Sequence, residues 1–392
     1  MVEVRTLAPL PILPILFLLH LPGQQTPTQD PGVIFQRAQN ALLKKDYASA
    51  QKGFLEVLRL DPGSAVAYSN LGVVYMRMEK YDDAVQALQK AKQLSKGMPA
   101  IDLNLGLAYY RKQEFAKAIP EFTDVLHSLP NNYQSRYLLG MSYFMEDDYR
   151  LAAATLEPLA GSEKDNLDFL FVQAICYGKL KRRKESENTL ERLVRVGGDT
   201  AHLHLLLGKA YLDLYRNQQA ITELQRSISL DPKLGFAHYD LGVAYQRLGM
   251  LQQAGREFDI EMTITPQEPW SYENLGQVCL ELGQTDAAIK LFREALERER
   301  HLPKSLAGLG KAFIRMGDAP QGIRYFREAI ALDPEVAAYH YQLGQAYLKV
   351  GKQEEAKEEM ARAENLQAAD REKQAERLAG RLPSPTLPAT QR

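Results

Sequence analysis

The sequence repeats itself with a period of 34 residues. Counted from Pro31, ten frames of 34 follow one another without insertion or deletion and end at Asp370, so they cover 340 of the 392 residues. A fixed period of roughly 20 to 50 residues indicates a structure built by stacking one small unit. Each unit then buries its apolar face against its neighbours, and this constrains the fold more than any single motif.

Four positions of the frame show what each unit contains. The eighth is glycine in eight of ten frames, the twentieth is small in all ten, and the twenty-fourth is Phe, Leu or Met. The eleventh is tyrosine in seven frames, and Cys279 is one of the exceptions. Glycine inside a helix costs about 1 kcal/mol relative to alanine, so its recurrence predicts two helices in close approach. Apolar residues three and four apart predict two amphipathic helices of about 13 residues per frame.

The frames resemble the tetratricopeptide repeat, whose pattern places an aromatic, Leu-Gly, Tyr, Ala, Phe, Ala and Pro at fixed offsets. Residues 235–268 show it with Leu241, Gly242, Tyr245 and Phe258. The resemblance implies an all-α fold, a right-handed α-α superhelix, or solenoid, of about ten helix-turn-helix repeats. It also implies a concave groove lined by the first helix of each repeat.

The segment before the frames has a different composition. Arg5 precedes the apolar run Leu7–Leu21, which is interrupted by three prolines and is shorter than the roughly 20 residues that span a bilayer. We expect a secretory signal peptide over residues 1–23, or alternatively an uncleaved membrane anchor, followed by a linker over 24–30. A signal peptide predicts an exported chain, either periplasmic or secreted. An uncleaved anchor predicts a chain that this segment attaches to the membrane.

The ten repeats occupy residues 31–370, and the chain continues beyond them. No glycine or proline occurs between Gly351 and Gly380, so we expect the last helix to continue as a capping extension over 371–380. Residues 381–392 contain three prolines and little apolar surface to bury, which predicts a disordered tail.

The residues that enzyme chemistry requires are not grouped in the sequence. No glycine-rich phosphate loop, GxSxG elbow or HExxH motif occurs. His202 and His204 are two apart, so on a helix they point about 200° apart and cannot chelate one ion. We therefore expect no catalytic residue, no cofactor and no metal, and a chain that is not an enzyme.

The resemblance assigns the second, fifth, ninth, twelfth and thirteenth positions of each first helix to the groove. These positions are mostly apolar in frames three to five, which favours a binding patch over ordinary surface. They become polar and charged in frames seven to ten, and we expect Trp270 to lie near the edge of the groove. The candidate groove residues are Leu103, Leu107, Tyr110, Tyr137, Met141, Phe144, Phe171, Arg247, Trp270, Lys311 and Arg315.

These features predict a protein-protein interaction scaffold or adaptor that holds a partner protein or peptide segment in the groove. The alternative is a non-catalytic, substrate-recruiting subunit of an envelope enzyme system. The formal charge of -1, from 48 basic and 49 acidic residues, provides no overall field toward nucleic acid. We expect no nucleic acid and no small-molecule substrate, and membrane contact only through an uncleaved N-terminal segment.

Overall fold

The computed structural model describes residues 30–379, and within them every regular element is a helix. The chain divides into two compact units between Lys164 and Asp165. The predicted signal peptide, nearly all of the linker and the predicted tail lie outside the described residues. The predicted all-α architecture of paired helices is confirmed.

Eight α-helices and one turn of 3-10 helix form the first unit: α1 (Pro31–Leu43), α2 (Tyr47–Leu60), α3 (Ala65–Arg77), α4 (Tyr81–Leu94), α5 (Pro99–Arg111), α6 (Phe115–Ser128), α7 (Tyr133–Met145), α8 (Tyr149–Leu156) and the 3-10 turn Glu157–Leu159. Twelve form the described part of the second: α9 (Leu167–Lys179), α10 (Arg183–Gly197), α11 (Ala201–Asp213), α12 (Asn217–Leu230), α13 (Ala237–Arg247), α14 (Leu251–Ile264), α15 (Trp270–Glu281), α16 (Thr285–Arg298), α17 (Pro303–Arg315), α18 (Ala319–Leu332), α19 (Ala337–Lys349) and α20 (Gln353–Ala379).

The helices keep the register of the 34-residue frame. The second helix begins at the seventeenth position in all ten frames, from Tyr47 to Gln353. The first helix begins at the first position in eight frames, and it begins slightly later, at Ala237 and Trp270, in frames seven and eight. One frame therefore corresponds to one helix pair along the whole described chain.

The turn between the two helices of a repeat has the same backbone geometry in every frame. The fifteenth position has a positive φ in all ten, from 57° to 87°, although only the last four frames carry glycine there. The next residue donates its backbone N–H to the carbonyl of the eleventh position, as Arg216 does to Tyr211 at 2.8 Å. This six-to-one hydrogen bond around a left-handed residue ends the first helix and turns the chain back.

Each glycine at the eighth position accommodates the large side chain at the twenty-fourth position of its own repeat. A Cβ on Gly242 would lie 2.6 Å from Cε1 of Phe258, and one on Gly208 would lie 2.4 Å from Cγ of Leu224. Phe258 and Leu224 are fully buried. The close approach inferred from the glycines is therefore an approach of a core side chain to the facing backbone.

We expect Gly242→Ala to lower the free energy of unfolding by about 1–3 kcal/mol, because the added methyl displaces a buried ring. Gly255 is the matched control, since it is also helical and its Cβ would meet Leu275 at an ordinary 3.5 Å. Gly255→Ala should raise stability by up to about 1 kcal/mol through helix propensity. Urea unfolding of both variants measures the difference, and a stabilised Gly242→Ala would contradict the packing argument.

The last helix, α20, runs from Gln353 to Ala379 and so continues beyond the end of the tenth frame at Asp370. Its first turn contains Glu354 and Glu355, and negative charge near the N-terminus of a helix stabilises the helix.

Residues 30–379 include no helix with the length and apolar composition needed to cross a bilayer.

Candidate partner-binding surface

The candidate groove residues of the first unit are buried. Six of them lie on α5 and α7, and their side chains are between 2% and 6% exposed: Leu103, Leu107, Tyr110, Tyr137, Met141 and Phe144. A docking patch must be exposed to meet its partner. These residues therefore present no open apolar surface in this structure, and their role in partner binding stays a prediction.

The aromatic rings of this set pack against other rings of the same repeat. The Tyr110 ring meets Phe115 edge-on with ring centroids 5.2 Å apart, and Phe144 meets Tyr149 in the same way at 6.0 Å. Both contacts join the twelfth position of a first helix to the first residue of the second helix. Tyr110 and Phe144 therefore pack between the two helices of their own repeats.

In the second unit, Phe171 is buried on α9 and adds no exposed apolar surface. Trp270 begins α15 and is only partly buried. It packs against the cluster of Tyr272, Ala295 and Leu302. Its carbonyl accepts a hydrogen bond from the side chain of Asn274 at 2.9 Å. Packing accounts for the position of Trp270 in the repeat.

Two candidate arginines connect consecutive repeats. Arg247 donates from its guanidinium to the carbonyl of Leu212 at 2.6 Å, and Arg315 donates to the carbonyl of Leu280. Each carbonyl lies in the last turn of the first helix of the preceding repeat. Carbonyls at this end of a helix have no partner within the helix, and a nearby positive charge stabilises them. Both side chains remain exposed, but their hydrogen bonds explain them without a ligand.

Lys311 has no such role. It is partly buried on α17, and no carboxylate of residues 30–379 lies within ion-pair distance of its ammonium. Burial lowers the pKa of Lys311, although the nearby Glu281 acts in the opposite direction. A partly desolvated ammonium without an ion pair is a site where an anionic group would bind favourably.

The first helices of repeats nine and ten also carry exposed apolar and basic side chains. Tyr341 and Leu348 are 52% and 47% exposed on α19, at the fifth and twelfth positions of the tenth frame. Lys304 on α17 and Lys349 on α19 are also exposed. We refer to Lys304, Lys311, Tyr341, Leu348 and Lys349 as the basic-aromatic face. The sequence pattern did not single out Tyr341 and Leu348, because many groove positions of frames seven to ten are polar or charged, although both residues occupy groove positions of frame ten.

Protein-family models match five stretches of the chain. Models described as tetratricopeptide repeat match residues 65–97, 271–301 and 308–371, and a model described as TPR repeat matches 208–249. The model for the anaphase-promoting complex, cyclosome, subunit 3 matches residues 111–193. The chain is a tetratricopeptide repeat protein.

Several solved structures resemble this tetratricopeptide repeat protein at low sequence identity. The APC/C hetero-tetramer Cut9–Hcn1 is 15% identical, with 86% of this chain and 87% of that chain covered and a TM-score of 0.46. The human IFIT1 dimer with m7Gppp-AAAA is 17% identical, with coverages of 87% and 91% and a TM-score of 0.47. Yeast Tom70 is 14% identical, with coverages of 90% and 98% and a TM-score of 0.42. No curated protein sequence matches the chain.

Tetratricopeptide repeat proteins typically act as non-catalytic scaffolds, and the repeats support a general role in protein interaction. Three His–Glu pairs of the described residues form contacts between helices. In repeats six, seven and ten, a histidine at the fourth position lies 2.6 Å, through Nδ1, from a glutamate at the twenty-third: His204 with Glu223, His238 with Glu257, and His340 with Glu359. These pairs connect the two helices of a repeat.

Repeat three carries three carboxylates that surround the ammonium of Lys92 from the preceding repeat. Its Nζ lies 2.6 Å from Glu121, 3.0 Å from Asp102 and 3.0 Å from Asp124. Burial alone would lower the pKa of Lys92, but its hydrogen bonds to the carboxylates raise it overall. Burial raises the pKa values of Asp102 and Glu121 by more than the Lys92 ammonium lowers them, and the neighbouring carboxylates add to the rise. The carboxylates are close enough to share a cation, and Lys92 supplies it.

Proposed function

We propose that this tetratricopeptide repeat protein is a non-catalytic scaffold that holds a segment of a partner protein against the basic-aromatic face. The observation that carries the proposal is the exposure of Tyr341 and Leu348 on the first helix of repeat ten. Lys304, Lys311 and Lys349 on the first helices of repeats nine and ten form no ion pair with a carboxylate of residues 30–379. Exposed apolar side chains within a charged rim are typical of protein-binding surfaces.

The chemistry of the face favours an acidic segment with one apolar or aromatic anchor. Lys304, Lys311 and Lys349 supply positive charge, and Tyr341 and Leu348 supply the contact area. The acidic groups of the neighbouring repeat are already engaged. Glu273 accepts a hydrogen bond from the Ser305 hydroxyl at 2.8 Å, and Glu281 accepts one from Gln277 at 2.9 Å. A partner carboxylate is therefore the group that complements this face.

A protein segment is favoured over nucleic acid by charge. The basic-aromatic face has three lysines, and the whole chain has a formal charge of -1, whereas nucleic-acid binding depends on an extended basic surface that contacts many phosphates. IFIT1 was solved with m7Gppp-AAAA, but that ligand belongs to IFIT1. We accordingly propose a protein partner.

Peptides selected on the purified chain from a displayed random library test the proposal. We expect them to be enriched in Asp and Glu beside an aromatic or aliphatic residue. Tyr341→Ala combined with Lys311→Met should weaken their binding by about tenfold or more, since both groups are central to the face. Binding should also weaken as salt concentration rises.

Arg324→Met provides the control, because Arg324 is an exposed cation of repeat nine on its second helix, α18. This variant should bind the selected peptides within about twofold of the wild type. Equal affinity of the wild type and the Tyr341→Ala/Lys311→Met variant would show that the face is not the binding site.

We also propose that the partner is met outside the cytoplasm. The apolar run at Leu7–Leu21, preceded by Arg5, supports this location. Fractionation of cells that express the full chain tests it, and recovery of the chain in the cytoplasm alone would refute it.

A further inference from the structure

A pocket of about 570 Å³ opens in the second unit between the second helices of repeats seven and eight, α14 and α16. Its lining is mostly apolar and includes Leu251, Met262, Leu275 and Val278. Asp259 lines it from α14, and Cys279 lines it from α15. A concave, mostly apolar pocket with a few polar groups is the usual form of a ligand site.

Other repeats place a tyrosine ring at the equivalent seam. In three repeats the tyrosine at the eleventh position accepts a hydrogen bond on its hydroxyl from the side chain at the twenty-fifth position of the preceding repeat. Gln89 reaches Tyr109 at 2.6 Å, Gln225 reaches Tyr245 at 3.1 Å, and Arg327 reaches Tyr347 at 2.9 Å. The contact recurs because the repeats stack in the same register. Each of these three tyrosines thus contributes a ring and a hydroxyl to the seam between two repeats.

The seam between repeats seven and eight lacks this ring. Cys279 stands at the eleventh position, and Asp259 stands at the twenty-fifth position of the preceding repeat. A second large side chain is missing on α14, where Gly255 occupies the twenty-first position. Five other frames carry a β-branched aliphatic residue there: Val85, Ile119, Ile221, Ile289 and Ile323. These two replacements leave the space that forms the pocket.

The Asp259 carboxylate has no hydrogen-bond or ion-pair partner among residues 30–379. Burial raises the pKa of Asp259, and burial together with the nearby carboxylate raises the pKa of the Cys279 thiol. The thiol therefore stays protonated and acts as a small apolar group on the pocket wall. The pocket combines an apolar space where a ring is missing with an acceptor where a hydroxyl would be bound.

We propose that this pocket binds a para-substituted phenol, whose ring occupies the place of the missing tyrosine and whose hydroxyl donates a hydrogen bond to Asp259. The phenol is either a free small molecule or the side chain of a tyrosine in another protein. Because the pocket lies in repeats seven and eight, this proposal does not depend on the basic-aromatic face.

Calorimetric titration of the full chain with p-cresol, the isolated tyrosine side chain, tests the proposal. Cys279→Tyr supplies the ring from within the chain, so we expect p-cresol affinity to fall by about tenfold or more. Cys279→Ser is the matched control, because it leaves the pocket open and should retain binding. Unchanged p-cresol affinity in Cys279→Tyr, or no binding to the wild type, would overturn the proposal.

The role of Asp259 is tested by comparing p-cresol with toluene, which lacks the hydroxyl. The wild type should prefer p-cresol by about tenfold, as expected for one hydrogen bond to a charged acceptor, and Asp259→Ala should lose most of this preference. An undiminished preference in Asp259→Ala would refute the assigned acceptor. A blocked tripeptide with a central tyrosine distinguishes the sources: its binding supports a protein-borne phenol, and binding of p-cresol alone supports a free one.

Discussion

Replacing Phe122 with alanine is expected to lower the free energy of unfolding of the first unit by about 3–5 kcal/mol. Phe122 is fully buried at the twenty-fourth position of repeat three. Its Cε1 lies 2.7 Å from the place where a Cβ on Gly106 would be. Because Gly106 has no side chain to move into the space, the cavity left by the ring stays open. Urea unfolding followed by circular dichroism measures the loss.

Leu43→Ala is the control for this prediction, because Leu43 is 59% exposed at the end of α1. Its replacement should cost less than about 1 kcal/mol. Hydrogen exchange of the amides in α5 and α6 reports whether the loss in Phe122→Ala is centred on repeat three. A cost similar to that of Leu43→Ala would mean that the glycine and the ring do not interlock as the structure shows.

The repeat core was predictable because its signals recur. The glycines at the eighth position and the large residues at the twenty-fourth are local, periodic and unambiguous, and Gly242 meets Phe258 as that pattern requires. The turn was harder to predict. Tyr215 adopts a φ of 58°, a conformation that favours glycine, and only the register of the frame identifies it. The same turn occurs in six frames that lack glycine.

The candidate surface was predicted less well. The sequence shows which side chains share one face of a helix, but it does not show which of them are covered by side chains of other helices. Tyr110 lies at a groove position, yet it packs on Phe115 across the repeat. Arg247 and Arg315 also lie at groove positions, but their guanidinium groups bond to carbonyls 35 residues earlier. One further signal was present and was not used: the co-occurrence of histidine at the fourth position and glutamate at the twenty-third within single frames.

Lys92→Met is expected to lower the free energy of unfolding at pH 7 by about 2–3 kcal/mol. Removing one partner of a buried ion pair costs about 3–5 kcal/mol, and the lower figure allows for the 30% exposure of the Lys92 side chain. The methionine keeps the length of the side chain, so the change is chiefly the loss of charge beside Asp102 and Glu121. Urea unfolding of the variant and the wild type measures it.

The sign of the pH dependence follows from the carboxylates. Burial already raises the pKa values of Asp102 and Glu121 in the folded chain above their ordinary values, and loss of the ammonium raises them further. The folded state then binds protons more readily than the unfolded state, so the stability of the variant falls as pH rises through this window. The deficit relative to wild type should therefore be largest at pH 7 and shrink toward pH 5. Lys90→Met, which removes an exposed lysine from the same helix, should show neither the deficit nor its pH dependence. A deficit of the same size at both pH values would mean that packing of the lysine stem, rather than its charge, stabilises this contact between repeats.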